Sequence, residues 1–391
     1  MKVAIIVAVF PSASETFISN KARILCSRGH SVTVYCSQIN QHMLDELFPG
    51  DLRPEVKLLN KATILKSWLL NPFIGFKKME TQRPLTKRIY HLARANAINK
   101  IHSDIIHFEF SGIAIDYVDT LDLITAKKVV SCRGTAEKVK LLIYEERKSL
   151  FRKLVKKVDG IHCVSQNMVQ TILPYCDEPD KIFVNYPSID IRYFTRINKR
   201  IPCSHLNILS VGRITFQKGY SDALLAIQCL KNEGLSFTWT IAGNGDAYEE
   251  FIFKMHALGL TENIYLAGTK SRGEVKELME NADIFYLPSL YEGLANVVLE
   301  AMSMEIPVVV TKCGGMAEVI THGEDGMLAD VFDFKAQANY ILEIANDKDL
   351  AEKLGRNARE KVMEKFNLEK QTTIFEEKYT ELLKLDIDAN H

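Results

Sequence analysis

Two short stretches of this 391-residue chain place charged side chains where a phosphate and a polyol would need them. VGRITFQKG at 211–219 sets Arg213 and Lys218 just past an apolar run that ends at Val211. EGLANVVLE at 292–300 carries two carboxylates, Glu292 and Glu300, with seven residues between them. Gly212 lets the chain turn sharply off a strand. Arginine then offers a planar fork and lysine a mobile point charge, and both suit a diphosphate. Cations so placed stabilise charge that develops on a leaving group. The second motif, within LPSLYEGLANVVLE, reads as strand end, loop and helix. Gly293, Leu294, Ala295 and Asn296 open that helix, and its free amides can bind phosphate oxygens. Glu292 precedes the helix, where a carboxylate can bond sugar hydroxyls. Glu300 lies about two turns in, with a side chain tilted toward the N-terminus and a ribose diol within its reach. The bland readings are a basic surface loop and a solvated helical Glu300. The second is weakened by the apolar neighbours Val297, Val298 and Leu299. A nucleotide sugar is a ligand that would use the whole set.

These residues need a scaffold that brings strand ends together. Apolar, β-rich runs at Val3–Phe10, Ser31–Cys36, Asp104–Phe108, Lys128–Ser131 and Gly160–Val164 alternate with helical patterns through the first half. The second half repeats the scheme at Leu206–Val211, Ser236–Ala242, Asn263–Ala267, Ile284–Leu287 and Pro307–Val310. Such alternation predicts two doubly wound α/β domains with parallel sheets covered on both faces. NYPSIDIRYF (185–194) and the polar stretch to Ser204 read as the linker. The domains are expected at 1–190 and 205–367, with a final helix over 368–391 crossing back onto the first. Ligands of open α/β sheets bind beyond the carboxyl ends of the strands. Two glycine turns lie on that rim. Gly243-Asn244-Gly245 permits close approach of a nucleotide, and Gly314-Gly315 precedes Glu318, which either caps a helix or meets a sugar.

Length alone favours two domains. A hydrophobic content of 47% and a charged content of 25% are those of an ordinary globular protein. Eight cysteines are scattered without a Cys-x-x-Cys pair, which points to a reducing, cytoplasmic setting. The apolar run before Pro11 is a buried strand by length rather than a signal peptide, and no run is long enough to span a bilayer. Net charge is zero, yet residues 1–200 carry 31 Lys and Arg against 19 Asp and Glu, and residues 201–391 carry 18 against 30. The basic half either faces an anionic neighbour or simply has a different solvated surface. No feature points to nucleic acid.

The ordered set Arg213, Lys218, Glu292 and Glu300, with LPSLYEGLANVVLEAM and GGMAEVI around it, resembles family 4 of the glycosyltransferases over essentially the whole chain. The resemblance implies a GT-B fold, with two Rossmann-like domains facing across a cleft. It implies a nucleotide diphosphate sugar, a UDP- or GDP-sugar, held mainly by the second domain, and transfer with retention of anomeric configuration. In that family Arg213 and Lys218 correspond to the diphosphate-binding pair, and Glu300 to the carboxylate that binds ribose. The acceptor implied is a saccharide or lipid-linked saccharide in surface-polysaccharide assembly. No cofactor is implied and no divalent metal; the Asp-x-Asp at Asp386 and Asp388 lies in the tail. The family has no agreed protein nucleophile, and the leaving phosphate is a candidate base.

The first domain supplies the acceptor candidates. In FPSASETFI (10–18), Ser12 or Ser14 is placed to cap a helix, while Glu15 and Thr16 would face the cleft. Glu15 either contacts the acceptor or stabilises the helix dipole. The loop lacks the Gly-Gly pair that many family members carry there. SCRGTAE (131–137) has Arg133-Gly134 where the family often has His-Gly. Arginine cannot act as a base near neutral pH, so Arg133 either binds phosphate or sugar oxygens or forms a structural ion pair. His107 and Glu109 end a strand and would line the acceptor side, one of them taking the acceptor proton, unless the histidine is structural. KATILKSWLLNPFIGFKK (61–78), followed by Arg83, Lys87 and Arg88, and the basic helix over Arg147–Lys157 would rest on an anionic membrane surface or pack on the core. Two rivals remain: a nucleotide-sugar epimerase or hydrolase of the same fold, and a non-catalytic sugar-nucleotide-binding subunit.

Overall fold

The computed structural model describes residues 1–12, 15–50, 53–59, 92–93, 95–96, 98–99, 102–197 and 205–388. The stretch 61–78, with Arg83, Lys87 and Arg88, lies outside them, as does Ser14. Two compact units form, Met1–Tyr186 with Gln371–His391, and Pro187–Lys370.

The first unit contains β1 (Lys2–Ile6), β2 (Val9–Phe10), β3 (Ser31–Cys36), β4 (Gln38–Ile39), β5 (Glu55–Leu58), β6 (Ile105–Phe108), β7 (Lys127–Cys132), β8 (Gly160–Cys163) and β9 (Ile182–Val184). Seven of them make a parallel sheet in the order β5-β3-β1-β6-β7-β8-β9. Val3, Ala4, Ile5 and Ile6 are all buried, as a strand covered on both faces must be. Val3–Phe10 is not one strand. The main ladder ends at Ile6, and the Ala8 carbonyl accepts from Ser37 N and Gln38 N. This turns Val9–Phe10 away to pair with Gln38–Ile39. The final helix, Leu368–Asp388, brings Phe375, Tyr379 and Leu382 into the core of this unit beside Val3, Ile5 and Val34.

The second unit contains β10 (Leu206–Val211), β11 (Phe237–Ala242), β12 (Ile264–Gly268), β13 (Ile284–Leu287), β14 (Val308–Thr311) and β15 (Met327–Ala329), in the parallel order β12-β11-β10-β13-β14-β15. Its core centres on Trp239. The indole is fully buried among Tyr220, Phe251 and Tyr286, and its N–H donates to Ser210 Oγ at 2.8 Å. Residues 187–197 of the stretch read as a linker are built into this unit. Ile189 and Phe194 are buried, Ile189 N donates to the Phe366 carbonyl at 3.1 Å, and Arg196 Nη2 reaches the Ala282 carbonyl at 2.7 Å.

Each sheet changes direction once. In the first, β1 has β3 on one side and β6 on the other; in the second, β10 lies between β11 and β13. The crevices beyond the carboxyl ends of β1/β6 and β10/β13 are therefore where each unit can seat a ligand. The motifs picked out above leave from those strand ends.

Candidate active site

In the second unit, β10 delivers Gly212 and Arg213, and β13 delivers Pro288 to Gly293. A short 3-10 turn, Phe216–Lys218, points Lys218 back at the second loop. Lys218 Nζ lies 2.7 Å from Glu292 Oε1, so the two motifs meet as an ion pair. Ser289 Oγ donates to the same oxygen at 3.0 Å, and Gln217 Nε2 to Oε2 at 3.1 Å. An ionised carboxylate has about four acceptor positions. Among the described residues three are filled, and one on Oε2 is left for a further donor. Glu292 is thus held in place by Ser289 of its own loop and by Gln217 and Lys218 of the turn after β10, rather than standing clear for a sugar. Arg213 is exposed and has no ion-pair partner among the described residues.

The helix Asn296–Ser303 starts beside this pair. Its N-cap is Ala295, which gives no side-chain cap, so the first amides keep their capacity for an anion. Glu300 is 9% exposed. No side chain among the described residues bonds its carboxylate. Burial pushes its pKa up to about 7, and the charge of Arg272 opposes this. Arg272 carried no motif that would have singled it out.

The glycines serve the loops themselves. Gly243 has φ +157°, and a Cβ there would overlap the Gly212 carbonyl. The close approach it permits is loop on loop, reinforced by Ile214 N donating to the Asn244 carbonyl at 3.2 Å. At Gly314, φ is +54° and a Cβ would collide with the Glu292 carbonyl. Gly315 N also donates to the Gly293 carbonyl at 2.9 Å, so the turn after β14 supports the glutamate loop from behind. Glu318 sits half-buried in the first turn of the helix Met316–Val319. A second Asp-x-Asp, Asp347-Lys348-Asp349, opens a helix, where Asp347 accepts from Leu350 N at 2.9 Å.

In the first unit, Glu109 follows β6 and is fully buried between two cations, Lys21 and Arg133. Arg133 Nη2 lies 2.6 Å from Glu109 Oε2, Nε donates to the Glu109 carbonyl at 3.0 Å, and the guanidinium stacks 4.2 Å from the Phe17 ring. Burial alone would raise the Glu109 pKa, but the charges of Lys21 and Arg133, with the hydrogen bond from Lys21, outweigh it and hold the group well below the usual carboxylate range. Lys21 is pulled down to about 8 by burial, with Glu109 opposing. The structural ion pair is the arrangement Arg133 adopts. Glu137 fixes the backbone of the same loop, accepting from Arg133 N at 3.2 Å and Gly134 N at 3.0 Å.

His107 requires a correction. It does not line an acceptor surface: it is fully buried, 2.5 Å from Tyr379 Oη and 2.7 Å from Ser131 Oγ. Burial and the Lys21 charge lower its pKa well below the ordinary range. A sealed imidazole with its neighbours on both nitrogens cannot take a proton from an acceptor. The polar chain continues from Ser131 Oγ to His162 Nδ1 at 2.8 Å and from His162 Nε2 to the Asn185 carbonyl at 2.7 Å. Glu109, sealed by its two cations, is likewise no free base. Glu15 is the N-cap residue of the helix Thr16–Ser27, so Ser12 is not. Its carboxyl makes no capping bond. Burial raises its pKa and Arg133 opposes that shift. Thr16 follows it, half-buried.

Residues 14–193 match the description Glycosyltransferase Family 4, and residues 195–361 match Glycosyl transferases group 1. The amylovoran biosynthesis glycosyltransferase AmsK of Erwinia amylovora is 27% identical, over 94% of this chain and 96% of its own. N-acetyl-alpha-D-glucosaminyl L-malate synthase of Bacillus anthracis is 22% identical over 99% of each. Among solved structures, a glycosyltransferase from Rickettsia africae superposes with a TM-score of 0.77 at 21% identity, covering 98% of both chains. HepE of Anabaena, solved with UDP and glucose, does so with a TM-score of 0.78 at 16% identity, covering 97% of this chain and 99% of that one. With both halves of the chain matched in order, and the Arg213/Lys218 and Glu292/Glu300 motifs at one strand crossover, the chain belongs to family 4 of the glycosyltransferases and has the GT-B fold.

Proposed function

We propose that this glycosyltransferase moves a sugar from a nucleotide diphosphate sugar to a saccharide or lipid-linked saccharide in surface-polysaccharide assembly, with retention and without a divalent metal. The observation that carries the donor assignment is the Lys218–Glu292 pair beside an exposed Arg213 and an uncapped helix start. In this reading the second unit holds the donor and the first holds the acceptor. Arg213 and Lys218 neutralise the departing diphosphate, the backbone from Gly293 to Asn296 takes phosphate oxygens, and Glu300 accepts from the ribose. The remaining acceptor position on Glu292 receives a donor-sugar hydroxyl. Glu15, Thr16 and Arg133 border the acceptor. A thermal-shift screen of UDP-, GDP-, ADP- and dTDP-sugars with EDTA present tests the reading, because a ligand that binds only the folded chain raises Tm. A clear rise with one nucleotide is expected; no rise with any at millimolar concentration counts against the donor site.

Ionisation of Glu300 supplies a second test. A ribose diol donates to the carboxylate but not to the acid, so binding favours the charged form. Glu300 titrates at about 7, above its ordinary 4.5. Affinity for the nucleotide sugar should therefore climb on the order of tenfold between pH 6 and pH 8 and level off above. The sign for the fold alone is opposite: the raised pKa contributes stability below pH 4.5 that is lost as pH rises through 7. Glu300→Gln should flatten the affinity profile, which calorimetry at both pH values would reveal.

A lipid-linked acceptor calls for contact with an anionic bilayer. No helix among the described residues is long and apolar enough to cross a membrane. The helix Glu145–Lys157 turns Phe151, Leu154 and Val155 into the core, so its apolar face is already used. Just before it, Leu142, Ile143 and Tyr144 are 72%, 61% and 57% exposed, with Lys140, Arg152, Lys153 and Lys156 exposed nearby in sequence. We assign the membrane contact to these three residues. The chain should co-sediment with phosphatidylglycerol vesicles at low salt, and Leu142→Ser/Ile143→Ser should abolish it; equal pelleting of both proteins would remove the assignment.

A further inference from the structure

We infer that Arg272 completes the ribose subsite: its guanidinium and the Glu300 carboxylate form a complementary pair that takes the vicinal diol of a nucleoside between them. The inference rests on the donor-site reading above. Arg272 is the first residue of the helix Arg272–Glu280, whose start is fixed by a capping box between Ser271 and Glu274. Its guanidinium carbon lies over the Tyr193 ring, 3.9 Å from the centroid, and 5.3 Å from the centroid of Phe194. That aromatic shelf is anchored. Asp190 Oδ1 accepts from Arg192 N and Tyr193 N, each at 3.2 Å, and Arg196 Nη2 holds the Ala282 carbonyl at 2.7 Å beyond the far end of Arg272's helix.

The shelf also leads to Glu300. The Phe194 carbonyl accepts from Ser303 Oγ at 2.7 Å, and Ser303 stands three residues from Glu300 on the same helix face. Arg272 is accordingly set against the side of the helix from which Glu300 projects. Among the described residues, each of the two groups has hydrogen-bonding capacity left over. Arg272 Nε is buried without a hydrogen-bond partner, and no side chain among the described residues bonds the Glu300 carboxylate. Buried polar atoms without a hydrogen bond are costly, so a ligand that serves both gains affinity. The chemistry of that ligand is restricted. A phosphate would suit Arg272 but be repelled by Glu300; an ammonium would suit Glu300 but be repelled by Arg272. A hydroxyl both donates and accepts, and two adjacent hydroxyls can donate to the carboxylate while accepting from the guanidinium. Tyr193 is then a positioning residue, holding the guanidinium over its ring.

Calorimetry of the full chain at pH 8 with UDP, with GDP beside it, and with their 2′,3′-dideoxy counterparts tests this. The wild-type protein should prefer the ribonucleotide by about tenfold or more. Arg272→Met should lose most of that preference with Tm within a few degrees of wild type, while Arg272→Lys, which keeps the charge but not the fork, should retain part of it. Tyr193→Leu should fall between wild type and Arg272→Met. Should Arg272→Met fail to fold, the Lys variant decides: full preference there overturns the pairing. Preference lost in Glu300→Gln but kept in Arg272→Met overturns the role of Arg272 alone. Preference kept in Glu300→Gln, or no binding of either nucleotide to wild type, overturns the donor-site reading and the pairing with it.

Discussion

Replacing Arg213 with alanine is expected to lower kcat about 100-fold or more, the scale seen when a preorganised donor to a developing oxyanion is removed. The stability of the variant should hardly change, because Arg213 is exposed and has no ion-pair partner among the described residues. Lys218→Ala should produce a fall at least as large, with a different accompaniment. Among the described residues Lys218 is the only cation paired with Glu292, whose other two partners there, Ser289 and Gln217, are neutral. Removing it leaves a carboxylate with 7% exposure uncompensated, so Tm should drop as well. The double variant should fall short of the product of the two single losses, since both cations act on one diphosphate. Steady-state rates with the donor found by thermal shift, beside melting curves, check all three. Rates within about threefold of wild type in both single variants would remove the leaving-group role.

What the sequence disclosed follows from how each feature is built. The interior strands β1, β3, β10, β11, β13 and β14 show as apolar runs because a parallel strand is buried on both faces. The strands β5, β9 and β15 escaped notice: they lie at the ends of their sheets, run three or four residues, and in EVKL carry two charges. Motif order marked Lys218 and Glu292, but a separation of 74 residues says nothing of which side chain they meet. Only the crossover of β10 and β13 makes them partners. Arg272 belongs to no motif, and its place follows from the packing of Tyr193 and Phe194 in a stretch that composition marks as linker. His107 is the instructive error. A polar residue near a strand end suggests an open rim, yet Tyr379, from 272 residues away, closes over it. Such a return of the chain leaves no trace in local periodicity.

Glu109→Ala is expected to destabilise the first unit by about 3–5 kcal/mol, the usual result of removing one partner of a buried ion pair. Without Glu109, Lys21 keeps its burial but loses its ion-pair partner, and its contact with His107 Nδ1 at 3.3 Å offers no compensating anion. Arg133 loses its one bond to the carboxylate and keeps its bond to the backbone carbonyl of residue 109 and its stacking on Phe17. For a unit of this size the melting temperature should fall by roughly 6–20 °C. The pH dependence gives the effect a signature. The folded Glu109 pKa is depressed, so its contribution is present above the ordinary carboxylate pKa and is lost as pH falls below it. The gap in Tm between wild type and Glu109→Ala should accordingly be wide at pH 7 and narrow toward pH 3. Lys21→Met separates charge from packing. It leaves Glu109 with Arg133 and replaces a buried ammonium by an apolar chain of similar length, so its loss should be smaller than that of Glu109→Ala. Equal Tm values for wild type and Glu109→Ala at neutral pH would mean that the triad contributes nothing to the fold, leaving acceptor binding as its remaining role.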